Sequence, residues 1–323
     1  MIKVLTRQNA VWHFGDWEDF QETLTPCWID LVFPQPEELK QVGEALAIAI
    51  PSRAEMAEIE VSSRLYQEDG AFFMTANLVT SPDTDNVESS AITFILTETC
   101  LVTVRYLEPR PFEAFAARLQ KPGGNCTNSL DVLIGLLEAI IDRMADILEI
   151  HSSEIEKISR TIFADTKNEP KPINLNDVIK EIGREGNHIS IIRESLTSLG
   201  RMSIFLNQAV YANPKAVEIR DVLKVVGRDV ASLADHASFI TNKVTFLLDA
   251  TLGMISIQQN SIIKIFSVVA VVFLPPTLIA SIYGMNFHFI PELSWEVGYP
   301  LALGLMVVSA VLPYLFFKRK GWL

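Results

Sequence analysis

Residues Ile265–Phe287 read IFSVVAVVFLPPTLIASIYGMNF, and this run contains no charged side chain. A second uncharged run, Gly298–Phe317, reads GYPLALGLMVVSAVLPYLFF. Each run is long enough to cross a hydrocarbon core of about 30 Å as an α-helix. Because the connection between them is short and polar, the two runs predict a transmembrane helical hairpin. The alternative is a pair of buried core helices in a soluble protein.

The charges that flank the two runs predict their orientation. Lys264 precedes the first run, and a basic triplet at 318–320 follows the second. By the positive-inside rule these flanks lie in the cytoplasm, so the intervening loop, with Glu292 and Glu296, faces outward. Met1–Ala10 lacks the apolar segment of a signal peptide. We therefore expect a multi-pass protein of the cell inner (plasma) membrane with both termini in the cytoplasm.

The composition argues against several functions. The formal net charge of −12 over 323 residues is unfavourable for a nucleic-acid partner. The three cysteines (Cys27, Cys100 and Cys126) are odd in number and lack the spacing of a structural zinc site, so we expect them to be reduced. The five histidines are scattered, at positions 13, 151, 188, 236 and 288, and no P-loop occurs. We therefore expect neither an enzyme nor a bound cofactor.

The first 120 residues predict a small α/β domain. Runs rich in Val, Ile, Phe and Thr between polar turns are typical of strands. They are Ile2–Thr6, Cys27–Phe33, Val61–Gln67, Ala71–Thr80, Ala91–Leu96 and Leu101–Tyr106. Helices are expected at Pro36–Ala47, where proline opens the first turn, and at Arg53–Glu60.

Long helices follow the α/β domain. Apolar residues between 133 and 155 recur close to every 3.6 residues and predict a helix from Ser129 to about Asp165. Breakers at Asp165–Pro172 separate it from a second helix, Asn174–Tyr211. A third helix begins near Pro214 and meets no strong stop signal before the first apolar run. A helix of that length implies coiled-coil-like packing between the subunits of a homo-oligomer.

These patterns define the expected fold class, which is an α+β cytoplasmic domain followed by long helices and a two-helix transmembrane hairpin. The segments are a cytoplasmic α/β domain (1–120), a long-helix cytoplasmic stalk (121–261), a first transmembrane helix (262–284), an outward-facing loop (285–297), a second transmembrane helix (298–317) and a basic cytoplasmic tail (318–323).

One face of the first span carries a stripe of polar, small and apolar residues. At 100° per residue the stripe occupies an arc of roughly 100°. Its members are Asn260, Ile263, Ser267, Ala270, Leu274, Thr277 and Ser281. Such a stripe is favourable on a helix that lines a water-filled channel, where the apolar positions can act as a dewetting gate. The alternative is that Ser and Thr pack one membrane helix against another. Two spans cannot enclose a conduit, so the channel interpretation requires a ring of subunits.

The first span ends at Tyr283-Gly284-Met285-Asn286. Gly284 is a natural helix terminator, and the last turn leaves carbonyls unpaired at the negative end of the helix dipole. In a ring of subunits these carbonyls and the Asn286 side-chain oxygens form an uncharged collar. Because Mg²⁺ loses water reluctantly, a neutral collar can hold the hydrated ion without trapping it. The alternative is that Asn286 only caps the helix.

The string YGMNF at 283–287, followed by PEL at 291–293, Trp295 and GYP at 298–300, resembles the CorA family of magnesium transporters. The similarity is nearly continuous from about Phe246 to Leu323, and WIDL at 28–31 is similar as well. The chain looks closest to the bacterial magnesium/cobalt/nickel branch, because the residues after the triplet are not altered as in the zinc-exporting branch.

The resemblance implies a CorA-like funnel built as a homopentamer, with Gly284, Met285 and Asn286 as an outward selectivity filter and the stripe as the pore wall. It also implies magnesium sensors between subunits, made of acidic residues. Val225 stands where we would place one long-helix aspartate. The remaining candidates for the regulatory metal are Asp229, Asp235, Asp83, Asp85 and Glu88.

The sequence therefore predicts influx of hydrated Mg²⁺, with Co²⁺ and Ni²⁺ as further candidate ions, driven by the membrane potential and gated by intracellular Mg²⁺. Export of zinc or another transition metal is one alternative, and His288 at the mouth offers a ligand for such an ion. The other alternative is a membrane-anchored sensor of divalent cations, in which the hairpin only tethers the acidic domain.

Overall fold

The computed structural model describes residues 1–8, 11–15, 17, 27–80, 87–121, 126–163, 174–211, 217–286, 288 and 290–322. The chain divides into two compact units, Met1–Leu247 and Leu248–Leu323. The first unit contains a β-sheet and helices that pack on it. The second contains the two apolar runs.

A seven-stranded mixed sheet forms the framework of the first unit. Its strands are β1 (Ile2–Gln8), β2 (Val11–Gly15), β3 (Cys27–Val32), β4 (Leu65–Glu68), β5 (Ala71–Thr80), β6 (Glu88–Leu96) and β7 (Cys100–Arg105). The spatial order is β2-β1-β3-β7-β6-β5-β4. The β3–β7 pair is parallel, and the other neighbouring pairs are antiparallel. Central strand β7 is buried along its whole length, so the main core lies around it.

The first unit also contains short helices. They are α1 (Pro36–Leu46), α2 (Arg53–Met56), α3 (Val61–Arg64) and α4 (Arg110–Leu119). Helix α2 begins with a reciprocal capping box between Ser52 and Glu55. It ends at Met56, four residues before the end of the predicted segment at Glu60.

The predicted strand Val61–Gln67 is wrong in its first half. Val61–Arg64 forms α3, and β4 begins only at Leu65. The Arg64 side chain accounts for the turn, because its guanidinium bonds the Glu58 carbonyl oxygen and donates to Asn77 Oδ1 at 3.2 Å. These side-chain contacts outweigh the β propensity of the segment.

The three long helices agree with the predicted pattern. They are α5 (Ser129–Phe163), α6 (Leu175–Tyr211) and α7 (Val217–Tyr283), and α7 is continuous for 67 residues. The positions of α5 that were picked out by the 3.6-residue period are buried, namely Leu133, Leu136, Leu137, Ile140, Met144, Ile147, Leu148, His151 and Ile155. Helix α6 lies against β5, where the Ser195 hydroxyl donates to the Asn77 carbonyl at 2.6 Å.

The cysteines differ from expectation. Cys100 is disulfide-bonded, whereas Cys126 is free. The parallel register of β3 and β7 places Cys27 and Cys100 opposite each other, a proximity that their distance along the sequence conceals. The expectation of three reduced cysteines is therefore wrong.

The second unit contains the C-terminal part of α7, a 3₁₀ turn at Pro291–Ser294 and α8 (Gly298–Arg319). Two helices, α7 and α8, are long and apolar enough to cross a membrane. Only 6% of the residues in the most apolar window of each helix are buried. Since the core helices of a soluble protein would be mostly buried, the alternative of two core helices does not fit this chain.

Candidate functional site

The Gly-Met-Asn triplet lies at the C-terminal end of α7. The helix ends at Tyr283, as the sequence predicts, and the Gly284 N–H donates to the Ala280 carbonyl at 2.9 Å. The Met285 N–H donates to the Ile282 carbonyl at 3.3 Å. Met285 and Asn286 are both exposed, so their side chains are accessible at the helix end.

Gly284 ends the helix without left-handed backbone geometry. Among the described residues, the glycines with positive φ are Gly70 and Gly321. A Cβ atom on Gly284 would lie 3.1 Å from the Ala280 carbonyl oxygen, which is tighter than an ordinary contact. A side chain at this position would therefore contact the backbone carbonyl one turn earlier.

All seven stripe residues of α7 are exposed in the single chain. The Ser267 hydroxyl donates to the Ile263 carbonyl at 2.8 Å, and the Thr277 hydroxyl donates to the Phe273 carbonyl at 2.7 Å. A hydroxyl that donates inside its own helix keeps its lone pairs free for water or a cation. Large apolar side chains on other faces of the helix, such as Phe266 and Phe273, are exposed as well. Exposure therefore does not distinguish the stripe from the other faces of the helix, and its role as a pore wall stays a prediction.

Two consecutive prolines interrupt the hydrogen bonding of α7 but not its helical path. Pro275 and Pro276 lie inside the continuous helix. Because proline has no N–H, the carbonyls of Val271 and Val272 have no amide partner one turn later. These carbonyls add acceptor capacity midway along the first apolar run.

The loop after the triplet is short and carries aromatic and acidic residues. In its 3₁₀ turn, which includes Glu292, the Ser294 hydroxyl donates to the Pro291 carbonyl at 2.7 Å. Glu296 and His288 are exposed. Trp295 is exposed too, at an end of the apolar run where aromatic side chains are typical of a membrane interface.

Those of the predicted regulatory carboxylates that the structure describes do not form a common cluster. Asp229 and Asp235 are exposed on α7, and Glu88 is exposed at the start of β6. Asp83 and Asp85 lie outside the described residues. Asp235 lines a groove of about 660 Å³ together with one other carboxylate and three arginines, namely Glu194, Arg64, Arg193 and Arg201. The sensors that the resemblance implies lie between subunits, so these residues stay predictions.

One group of potential metal ligands escaped the sequence analysis. Among the described residues, His151, Glu185 and His188 bring one ligand atom each to within 4.8 Å of one another, and all three are buried. Two signals pointed to them. His151 occupies an apolar position of the α5 pattern, and Glu185-x-x-His188 places two ligands one turn apart on α6.

A sheet-containing domain joined to an exposed apolar hairpin defines a membrane protein with a large polar domain. A sequence profile described as "CorA-like Mg2+ transporter protein" matches residues 24–319. The chain belongs to the CorA family of magnesium transporters.

Individual relatives cover nearly the whole chain. It is 35% identical to the magnesium transport protein CorA of Pasteurella multocida (strain Pm70), over 94% of this chain and 93% of that protein. It is also 35% identical to the magnesium transport protein CorA of Escherichia coli (strain K12), over 95% of each.

The fold agrees with a solved structure of this family. The complete structure of the CorA magnesium transporter from Methanocaldococcus jannaschii matches with a TM-score of 0.80, covering 100% of this chain and 99% of that chain. At 20% identity this match shows the fold alone. The predicted fold class, with its α+β domain, long helices and apolar helix pair, is thereby confirmed.

Proposed function

We propose that the chain mediates passive influx of hydrated Mg²⁺ through a pore at the centre of a homo-oligomer. The observation that carries the proposal is the nearly full-length similarity to proteins named magnesium transport protein CorA, together with Gly284-Met285-Asn286 at the end of the first apolar helix. Co²⁺ and Ni²⁺ are further candidate ions. The oligomer is a pentamer in the inner membrane, with both termini in the cytoplasm.

The chemistry of the filter follows from the groups at the end of α7. Carbonyl oxygens of the last turn and the exposed Asn286 amide provide neutral acceptors at the negative end of a helix dipole. Several copies of this helix end form a collar that accepts hydrogen bonds from the water shell of the ion. A neutral collar favours passage over retention, because fixed carboxylates would bind the divalent ion more tightly.

The membrane potential supplies the driving force. A divalent ion that crosses the whole membrane gains about 4.6 kcal/mol per 100 mV, twice the value for a single charge. Intracellular Mg²⁺ closes the pore by binding acidic residues between subunits, with Asp229, Asp235 and Glu88 as candidates. When Mg²⁺ is scarce, the subunits loosen and the apolar positions Ile263, Ala270 and Leu274 become wet.

Flux into proteoliposomes tests this proposal. Purified protein is reconstituted with an internal Mg²⁺-sensitive dye, and an inside-negative potential is imposed. We expect Mg²⁺ entry that grows with the potential and falls when Mg²⁺ is preloaded on the cytoplasmic side. Transport of Zn²⁺ but not of Mg²⁺ would support the exporter alternative. Binding of either ion without its transport would support the tethered sensor.

A further inference from the structure

A buried cluster of three polar side chains lies between α5 and α6 and has no part in the proposed transport. His151, Glu185 and His188 are exposed by only 2%, 3% and 5%. His151 Nδ1 lies 2.8 Å from Glu185 Oε2, and His188 Nδ1 lies 3.8 Å from Glu185 Oε1. The centroids of the two imidazole rings are 4.9 Å apart. One carboxylate therefore faces two imidazoles in a site that solvent hardly reaches.

The unpaired nitrogen of His188 is the feature that points to a ligand. His188 Nδ1 is buried and has no hydrogen-bond partner. Its distance to the Glu185 carboxylate is too long for a hydrogen bond. A buried polar atom without a partner is destabilising, and native interiors contain few of them. Glu185 bonds His151 through Oε2, and its other oxygen lies 3.8 Å from His188 Nδ1, so contacts within the cluster leave this nitrogen unsatisfied.

We propose that His151, Glu185 and His188 bind one divalent transition-metal ion, with Zn²⁺ as the best match and Co²⁺ and Ni²⁺ in the same class. One ligand atom of each residue lies within 4.8 Å of the other two. Ligands at Zn²⁺ bond lengths in a tetrahedral site are about 3.4 Å apart, so small side-chain rotations complete the set. Two imidazoles and one carboxylate are a recurrent zinc ligand set with a fourth position for water.

The donor atoms select against Mg²⁺. Mg²⁺ takes six oxygen ligands and keeps several waters, whereas imidazole nitrogen suits zinc, cobalt and nickel. The Glu185 carboxylate supplies the one oxygen donor of the set beside the two imidazoles.

The cluster lies where three helices meet. A Cβ atom on Gly186 would lie 3.0 Å from Val244 Cγ1, so α7 packs closely against the α6 turn that carries the site. Lys243 of α7 also bonds Glu156 of α5. A metal ion bound by the three residues would link α5 to α6 and stabilise the folded state of the first unit. Arg184, 3.6 Å from the Glu185 carboxylate, does not block the cation, because its half-exposed side chain is screened by water.

Metal content of the full-length chain in detergent tests the site. The protein is stripped with a chelator and equilibrated with Zn²⁺ in excess Mg²⁺, which occupies oxygen-only sites. The variants are His151→Gln and His188→Gln, and the matched control is His236→Gln, which alters an exposed histidine of α7. We expect wild type and the control to bind one more Zn²⁺ per chain than either cluster variant. Zn²⁺ added in the presence of excess Mg²⁺ should raise the melting temperature of wild type and the control but not that of the cluster variants.

Equal Zn²⁺ content in all four proteins, or no Zn²⁺ bound by wild type, would overturn the assignment. The spectrum of Co²⁺ bound to wild type decides the matter even if a cluster variant fails to fold. Strong visible absorption from a four- or five-coordinate site with imidazole ligands is expected. A weak octahedral spectrum, the same as that of Co²⁺ in buffer, would contradict the proposal. Neither readout depends on ion flux, so the result is independent of the transport proposal.

Discussion

Asp30 and Arg105 form a buried ion pair between the parallel strands β3 and β7, with Arg105 Nη2 2.9 Å from Asp30 Oδ2 and both side chains 5% exposed. The Thr103 hydroxyl donates to Asp30 Oδ1 at 2.8 Å, and the Trp28 indole donates to Thr103 Oγ1 at 2.9 Å. The Arg105 guanidinium also lies over the Phe112 ring of α4. The WIDL string at 28–31 thus has a structural role, because its Trp and Asp anchor β3 to β7 and to α4.

Removal of one partner of this pair should destabilise the first unit strongly. Asp30→Ala leaves the Arg105 charge buried without compensation, and such changes cost about 3–5 kcal/mol. The thermal unfolding midpoint of the detergent-solubilised chain measures the effect. Lys40→Ala is the control, because Lys40 and Glu44 form an exposed pair at 3.7 Å, for which we expect less than about 1 kcal/mol. Equal shifts for the two variants would contradict this role of the buried pair.

The contact between α4 and α5 depends on the absence of a side chain at position 135. A Cβ atom on Gly135 would lie 2.7 Å from Cε2 and 2.9 Å from Cζ of the Phe115 ring. Gly135→Ala should therefore lower stability by about 1–3 kcal/mol. Gly183→Ala is the matched control, because a Cβ there meets nothing within 4 Å and alanine favours a helix by up to about 1 kcal/mol. Opposite shifts of the melting temperature are expected, and a stabilising Gly135→Ala would refute the packing argument.

The free thiol of Cys126 should be unreactive at neutral pH. Burial and the nearby Asp131 carboxylate raise its pKa to about 11. Since the thiolate is the nucleophile, about one thiol in a thousand is reactive at pH 8 in the folded chain. Alkylation by iodoacetamide, followed on the Cys126 peptide by mass spectrometry, should accelerate about tenfold per pH unit between pH 8 and pH 10.

The unfolded chain provides the control for that measurement, because a free thiol there has a pKa of about 8.5 and reacts readily at pH 8. The native rate should be lower by about two orders of magnitude at pH 8. Equal native and denatured rates would show that the environment of Cys126 in solution differs from the one described.

Most of the fold was predicted from the pattern of apolar residues along the sequence. The apolar hairpin and the three long helices were predicted because a long apolar or 3.6-residue pattern has few alternative structures. Strands β5 and β7 were found for a similar reason, since their β-branched and aromatic residues are bounded by turn signals. The turn at Val61–Arg64 was missed because its conformation depends on side-chain contacts of Arg64, one of them with Asn77 on the later strand β5.

The sequence did not predict which residues, far apart along the chain, lie next to each other in the fold. His151 and Glu185 are 34 residues apart and meet only because α5 and α6 lie side by side in a particular register. The opposition of Cys27 and Cys100 likewise depends on the parallel register of β3 and β7. At the triplet the sequence predicted the helix end at Tyr283, and the structure adds that the Gly284 N–H still donates to the Ala280 carbonyl.

The central claim is that the amide oxygen of Asn286 helps a neutral collar to select hydrated Mg²⁺. The most direct test is Mg²⁺ flux into proteoliposomes that contain matched amounts of wild type, Asn286→Ala or the control Asn176→Ala, which alters an exposed asparagine of α6. We predict flux for wild type and the control, and a loss of at least about tenfold for Asn286→Ala. Equal Mg²⁺ flux through Asn286→Ala and wild type would contradict the account.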